Sequence, residues 1–330
     1  MTTPPRAGAL RAVLAWGRLL LVLAVAMAAR AQAAPAFVPQ ARADTRAVEV
    51  APGVYLLRGA SGEVDAGNLG RVGNAGFIVG DSGVIVVDTG TSYRHGLALL
   101  DAVAQVTSRP VKLAIVTHTR QEFLFGAAAF RERGIPVAMH AAAARLMAAR
   151  CETCLKTLRR TLGDEPMQGT AMFTPDRSFD APHRLDLIGR PVEVLSFGHS
   201  SGPGDSAVFD VRTGVLFAGG LVDWMRIPDV QDSDLAGWKS ALAALRALPV
   251  KAVVPGHGPL APPASIGAVG RYLDQLGTHA QALLDQGAAL SEVADRLGLD
   301  EFEGWDQYET VHRRNASVVF LRLEREQMFK

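Results

Sequence analysis

Short apolar runs separated by turn residues follow a polar leader in the first part of the chain. The run Val48–Gly59 alternates and turns at Pro52-Gly53, and the run Gly76–Gly90 places two β-branched stretches around Asp81-Ser82-Gly83. Both patterns predict β-hairpins. Helix and strand then alternate: we predict helices over residues 94–106, 122–133 and 141–162, and strands over residues 111–117 and 136–139.

The second part of the chain starts the same order again. Strands are predicted over residues 192–197, 206–210, 214–218 and 251–254, and helices over residues 235–248, 262–276 and 280–297. Hairpins followed by strand–helix alternation, present twice, predict an α/β fold in which two sheets pack face to face with helices outside. We place one domain over residues 46–276 and a helical C-terminal extension over residues 277–330. The apolar residues of the extension either cover the core or contact a partner.

The N-terminus has the pattern of a secretory signal peptide. Three arginines precede the apolar run Leu19–Ala29, and small residues over 29–33 offer cleavage sites of the A-x-A type. The run is too short for a stable bilayer span, although an uncleaved anchor is the alternative. We expect residues 1–33 to be a signal peptide and residues 34–45 a leader. The mature protein would be periplasmic or secreted, with no stable membrane insertion.

Composition and charge narrow the range of partners. Of 330 residues, 48% are hydrophobic and 20% charged, and the formal net charge is +1. This balance gives no reason to expect nucleic acid or an anionic membrane as partner. The two cysteines, Cys151 and Cys154, form C-E-T-C inside a predicted helix. In an oxidising compartment this spacing predicts a structural disulfide, with a redox role or metal binding as alternatives.

Polar residues stand at the ends of four predicted strands, where ligand sites of layered α/β folds collect. The stretches are V-I-V-V-D-T-G with Asp88, A-I-V-T-H-T-R-Q-E with His118 and Glu122, V-L-S-F-G-H-S-S-G-P-G-D with His199 and Asp205, and A-V-V-P-G-H-G-P with His257.

The order and spacing of four of these motifs resemble those of metallo-β-lactamase-fold hydrolases over about residues 48–276. The motifs are V-D-T-G, T-H, G-H-S-x-G-x-G-D and P-G-H-G. The stretch G-L-V-D-W-M-R-I-P-D-V followed by G-W-K-S-A-L-A-A-L is similar to an exported branch associated with sulfur oxidation and quinoprotein dehydrogenases. The resemblance implies a four-layer αβ/βα sandwich of two mixed β-sheets and a zinc centre that activates water. It also implies a partner in an exported oxidation pathway.

The family's centre uses H-x-H-x-D-H, a later His, a bridging Asp and a last His. The resemblance therefore makes His118, His199 and His257 metal ligands, with Glu122 in place of the first aspartate. Arg120, Phe123 and Gly220 stand where the other three ligands are expected. None of these three side chains can bind a cation. We predict at most one ion, zinc or alternatively iron, since three protein ligands and an open position are enough.

Several carboxylates near these positions have predicted roles. Asp223 follows the lost bridging position by three residues and is either a substitute carboxylate or a surface residue of the loop. Asp88 and Asp205 are expected to support the site loops through hydrogen bonds. Glu122 either binds the metal or forms a salt bridge with Arg120. For catalysis we single out Glu122, Arg120 and Asp223, with Arg120 binding an anionic group of the substrate.

Three functions are compatible with these residues, and we favour the first, with the other two as alternatives. The first is an exported hydrolase with a mononuclear metal centre that acts on a small ester, thioester or amide. The second is a non-catalytic relative whose cleft binds a small anion or a partner protein. The third is a mononuclear iron redox enzyme that uses His118, His199 and Glu122.

Overall fold

Two mixed β-sheets pack face to face, and helices cover the outer surface of each. The computed structural model describes residue 1 and residues 39–329, except residue 41. The apolar run and cleavage sites of the predicted signal peptide lie outside the described residues. Every helix in the described part is too short or too polar to cross a membrane.

The first sheet has seven strands in the order of the chain. They are Val48–Ala51 (β1), Val54–Leu57 (β2), Ala75–Val79 (β3), Val84–Val87 (β4), Val111–Val116 (β5), Val137–His140 (β6) and Arg177–Phe179 (β7). The strands β1 to β4 pair antiparallel, and β4 to β7 pair parallel.

The second sheet has five strands in the order β12-β11-β10-β9-β8. They are His183–Leu185 (β8), Val192–Ser196 (β9), Ser206–Asp210 (β10), Val215–Gly219 (β11) and Ala252–Pro255 (β12). Only the β11–β12 pair is parallel.

Eight α-helices complete the described chain. They are Tyr93–Val106 (α1), Gln121–Leu124 (α2), Ala127–Glu132 (α3), Ala141–Leu162 (α4), Leu235–Arg246 (α5), Ala264–Asp285 (α6), Leu290–Arg296 (α7) and Arg313–Met328 (α8). A short 3₁₀ helix, Asp300–Phe302, and a π-helical turn, Tyr308–His312, precede α8.

Three apolar layers follow from the alternation of side chains along the strands. Residues such as Ile85 and Val208 fill the space between the sheets. Their neighbours Val86 and Phe209 point the other way, the first toward α1, α3 and α4 and the second toward α5, α6 and α8. The predicted four-layer αβ/βα sandwich is therefore confirmed.

Some predicted elements have different bounds. The helix predicted over residues 122–133 is two helices, because the chain turns at Gly126. The break predicted between residues 276 and 280 is wrong, since α6 runs through it with buried Leu273, Leu276, Ala280 and Leu283 at helical spacing. The strands β7 and β8 were not predicted, because they are short and mostly exposed.

Candidate functional site

A polar cavity of about 400 Å³ opens at the rim where strands of both sheets end. His118 comes shortly after β5 and His257 shortly after β12, while the loop after β11 carries Asp223. Arg120 and Glu122 flank the start of α2 and line the same cavity. The structure thus brings these five residues, all singled out from the sequence, to one cavity, which Asp205 also lines.

His118 presents an unpaired hydrogen-bond acceptor at this cavity. Burial and the nearby Arg120 guanidinium lower the pKa of His118 to about 3, so the imidazole is neutral. Its Nδ1 atom lies 2.7 Å from Thr117 Oγ1. Because the Thr117 hydroxyl donates its proton to the Asp88 carboxyl group at 3.0 Å, it accepts a hydrogen bond from His118 Nδ1–H. His118 Nε2 then carries a lone pair, and it has no hydrogen-bond partner among the described residues.

Asp88 holds Thr117 through both its backbone and its side chain. Its own backbone has a left-handed φ of 63°, and its carboxyl group accepts the Thr117 N–H at 2.9 Å as well as the hydroxyl proton. Burial raises the pKa of Asp88 to about 7, although the hydrogen bonds from Thr117 oppose the shift. Asp88 therefore acts on His118 through Thr117.

His257 lies between two carboxylates. Asp223 Oδ1 accepts hydrogen bonds from the backbone N–H and from Nδ1–H of His257, at 2.8 and 2.9 Å. His257 Nε2 lies 3.2 Å from Glu122 Oε1, but out of line for a hydrogen bond. Burial opposes the charge of His257, yet Asp223 and Glu122 outweigh burial and raise its pKa. The arrangement favours the imidazolium form.

Glu122 is the ionised partner of this imidazolium. Burial opposes its charge, but His257 and Arg120 outweigh burial and lower the pKa of Glu122 to about 2. A carboxylate held in this way is a weak base, since a proton-accepting group works best with a pKa near the working pH.

Arg120 pairs with Asp229 and not with Glu122, which corrects the predicted salt bridge. Its Nη1 donates to Asp229 Oδ2 at 3.2 Å and its Nη2 to the backbone oxygen of Asp229 at 2.9 Å. Arg314 of α8 donates to the same carboxylate at 2.9 Å. Burial opposes the charge of Arg120, but Asp229 outweighs burial and raises its pKa. Asp229 lies within R-I-P-D-V, but a partner 109 positions from Arg120 leaves no local sequence signal.

His199 lies outside the cavity, and the predicted convergence of His199 with His118 and His257 does not occur. The side chain is exposed, and its Nε2 atom is 2.7 Å from the backbone oxygen of Asp232. It lines a separate shallow depression. The set proposed for iron, His118 with His199 and Glu122, is therefore not assembled.

Asp205 holds the loop that follows His199. Its carboxylate accepts the hydroxyl protons of Ser200 and Ser201 at 2.9 and 2.6 Å, and the N–H of Gly202 at 2.8 Å. Burial raises the pKa of Asp205, although these hydrogen bonds oppose the shift. The closed turn fixes the backbone next to His199.

Two of the missing ligand positions are filled by other side chains. A Cβ atom added at Gly220 would lie 2.8 Å from both His118 Cδ2 and Ser201 Oγ. The Phe123 ring packs on His118, with centroids 4.4 Å apart, and on His257, with centroids 5.2 Å apart. An imidazole and a benzene ring thus occupy the space that a bridging carboxylate and another histidine would need.

The donor set does not fit the family's zinc centre. Within the described residues, no group of three His, Cys, Asp or Glu side chains is arranged to hold a metal ion. Glu122 is engaged by His257, and the Arg120 cation lies close enough to His118 to lower its pKa. These features argue against the metal roles predicted for His118, His199, His257 and Glu122.

Cys151 and Cys154 are free thiols, which corrects the predicted disulfide. Their sulfur atoms lie 3.2 Å apart, whereas a disulfide bond is about 2.05 Å long. Both residues belong to α4, and its helical backbone brings them to one face without a covalent bond. Cys154 also lines the main cavity, which its spacing alone could not indicate.

The sandwich of two mixed sheets with a cavity at one strand-end rim defines a class of protein. The model of the metallo-beta-lactamase superfamily matches residues 69–257, so the chain belongs to this superfamily.

Solved structures share the fold at low sequence identity. A metallo-beta-lactamase from Pontibacter korlensis is 22% identical with a TM-score of 0.57, covering 69% of this chain and 98% of its own. TMB-1 is 16% identical with a TM-score of 0.56, covering 70% and 97%. The DIM-1 metallo-beta-lactamase is 15% identical with a TM-score of 0.55, covering 69% and 96%. A comparison with curated proteins gives no match.

Proposed function

We propose that the cavity binds a small organic anion that carries a hydroxyl or amine group, without the zinc centre of the superfamily. This is the non-catalytic alternative of the sequence analysis, with export through the predicted signal peptide retained. The observation that carries the proposal is the unpaired Nε2 atom of His118, buried beside the Arg120 guanidinium.

Two unpaired groups support a ligand with both a donor and an acceptor. A buried polar atom without a partner costs about 1–3 kcal/mol, so a ligand that supplies the partner binds more tightly. His118 Nε2 lacks a donor, and His257 Nε2–H lacks an in-line acceptor within the described residues. A single hydroxyl can serve both of these atoms, and a protonated amine can donate to His118 Nε2.

Arg120 supports the negative charge of the ligand. Asp229 takes two of the five guanidinium N–H donors, and the side chain keeps 26% of its surface exposed. Arg314 lines the same cavity and shares the Asp229 carboxylate. A second carboxylate can therefore bind at Arg120 with charge-assisted hydrogen bonds.

Binding is favoured over hydrolysis because the residues present supply no strong base. Hydrolysis in this superfamily relies on metal-activated water, and the donor set does not fit that metal. With a pKa of about 2, Glu122 is a poor substitute. The catalytic roles predicted for Glu122, Arg120 and Asp223 stay predictions.

Elemental analysis tests the proposal that the cavity holds no zinc centre. The mature protein would be purified without chelator or metal-affinity column, beside His118→Ala and, as a control outside the cavity, His199→Ala. We expect far less than one zinc or iron per chain in all three proteins, and no change in melting temperature with EDTA. Close to one ion per chain, lost in His118→Ala but kept in His199→Ala, would overturn the proposal and favour the mononuclear hydrolase.

A matched series of ligands tests whether the cavity binds a carboxylate that carries a hydroxyl or amine group. Propionate, lactate and alanine share one carbon skeleton and differ in having no donor, a hydroxyl or an amine. We expect lactate or alanine to raise the melting temperature saturably and propionate to have little effect. The rise should be lost in Arg120→Gln and kept in Arg150→Gln, which alters an exposed ion pair with Asp232. No saturable rise with any of the three would contradict the proposal.

A further inference from the structure

One wall of the cavity carries a pair of thiols that the proposed function does not use. Helix α4 contributes Cys154 to the cavity lining, and Cys154 is only partly buried. Cys151 lies one helical turn earlier and is 2% exposed. The two sulfur atoms are 3.2 Å apart, so a small movement of about 1.1 Å would bring them to disulfide bond length.

The two thiols differ in acidity and accessibility, as the attacking and the resolving cysteine of a thiol–disulfide exchange site do. The contact with Cys151 Sγ, 3.2 Å away, lowers the pKa of Cys154, although burial opposes the shift. The same contact, with burial, raises the pKa of Cys151. Cys154 is thus the accessible and more acidic sulfur, and Cys151 lies behind it as a protonated thiol.

We propose that Cys154 and Cys151 form a thiol–disulfide exchange site that reacts with small organic disulfides entering the cavity. The inference does not depend on which anion the cavity binds, because both sulfur atoms belong to α4, which carries none of the residues proposed to bind the anion. It replaces the structural disulfide of the sequence prediction with a reducible pair.

The exchange balances within the dithiol and the disulfide. The Cys154 thiolate attacks one sulfur of R–S–S–R, forming a mixed disulfide, and the departing R–S⁻ takes up a proton. Cys151 Sγ then attacks Cys154 Sγ and loses its proton, which forms the Cys151–Cys154 bond and releases the second R–SH. The protein dithiol is oxidised by two electrons, and the organic disulfide is reduced to two thiols.

Intact-protein mass spectrometry of the reduced mature chain with hydroxyethyl disulfide tests the proposal. In the wild type we expect loss of two hydrogen atoms per chain and release of two equivalents of mercaptoethanol. Cys151→Ser should stop at one adduct, held on Cys154. Cys154→Ser should react more than about tenfold more slowly than the wild type, because Cys151 is buried.

Controls separate chemistry from misfolding. Since Cys151 of α4 points into the core, Cys151→Ala is run with Cys151→Ser, and both are checked by thermal unfolding. A Cys154→Ser protein that forms an adduct as fast as Cys151→Ser would overturn the proposal. So would a wild type that stops at the mixed disulfide. Failure of the lactate series above would leave these readouts unchanged, so the two proposals are tested separately.

Discussion

Single residues decide which predicted contacts form at the cavity. His118, His257 and Asp223 come together because each follows a strand that ends at the same rim. That much was readable from the sequence, since strand ends and glycine-bounded loops leave local patterns. Two features were not readable: the Arg120 contact with Asp229, and the outward rotamer of His199. The first depends on a partner that is distant in sequence, and the second depends on side-chain torsions.

The buried carboxyl group of Asp88 makes stability depend on pH. Its folded pKa of about 7 lies above the ordinary value of 3.8. The protonated form is therefore favoured in the folded state, and its contribution to stability is present below about pH 4 and is lost as pH rises to about 7. Asp88→Asn keeps an oxygen acceptor for Thr117 but does not ionise.

We expect the free energy of unfolding of Asp88→Asn, relative to wild type, to rise between pH 4.5 and pH 8. The rise in the Asp88 pKa from 3.8 to about 7 corresponds to a change of at most about 4 kcal/mol in the free energy of unfolding. Urea unfolding of both proteins at the two pH values measures it. Parallel stability–pH curves for the two proteins would show that Asp88 keeps its ordinary pKa in the fold.

At the level of elements, periodicity predicted the long segments well and their interruptions poorly. Helix α4 has the predicted bounds, because twenty-two residues at helical spacing give a strong pattern. The break between α2 and α3 arises from Gly126, which packs against the backbone oxygen of Thr89 and donates its N–H to Gly90 at 2.9 Å. A contact with a residue 37 positions earlier has no trace in the local pattern.

Two glycine substitutions should therefore act in opposite directions. A Cβ atom at Gly126 would overlap the Thr89 carbonyl, so we expect Gly126→Ala to cost about 1–3 kcal/mol. Gly277 lies inside α6 with nothing within 4 Å of the added atom. Gly277→Ala should gain about 0.5–1 kcal/mol through higher helix propensity. Thermal unfolding of both variants measures these effects. Changes in melting temperature of the same sign would contradict the packing argument.

On the scale of the whole molecule, the C-terminal segment completes the fold. The hydrophobic face of α8 lies in the same core as α5 and α6, and Arg314 with Val311 reaches the cavity. From sequence alone, both core packing and a partner contact are possible for this segment, because an apolar run does not say what covers it. Helix α6 also runs through the predicted boundary between residues 276 and 277.

Neighbouring residues of α8 provide a matched test of this packing. Phe320 is 1% exposed and Leu321 is 38% exposed. We expect Phe320→Ala to cost about 3–5 kcal/mol and Leu321→Ala to change stability by less than about 0.5 kcal/mol. Urea unfolding followed by tryptophan fluorescence measures both. Equal and small effects would mean that α8 contributes little to the core.

The occupied space beside Gly220 also limits how this sequence can change over time. An aspartate placed at 220 would meet the His118 ring and Ser201 before any ion was present to bind it. A histidine in place of Arg120 would remove one of the two cations that pair with Asp229, again with no metal to offset the loss. Either of these two substitutions is thus unfavourable by itself, and only a combination of substitutions could restore a metal centre of the family's type.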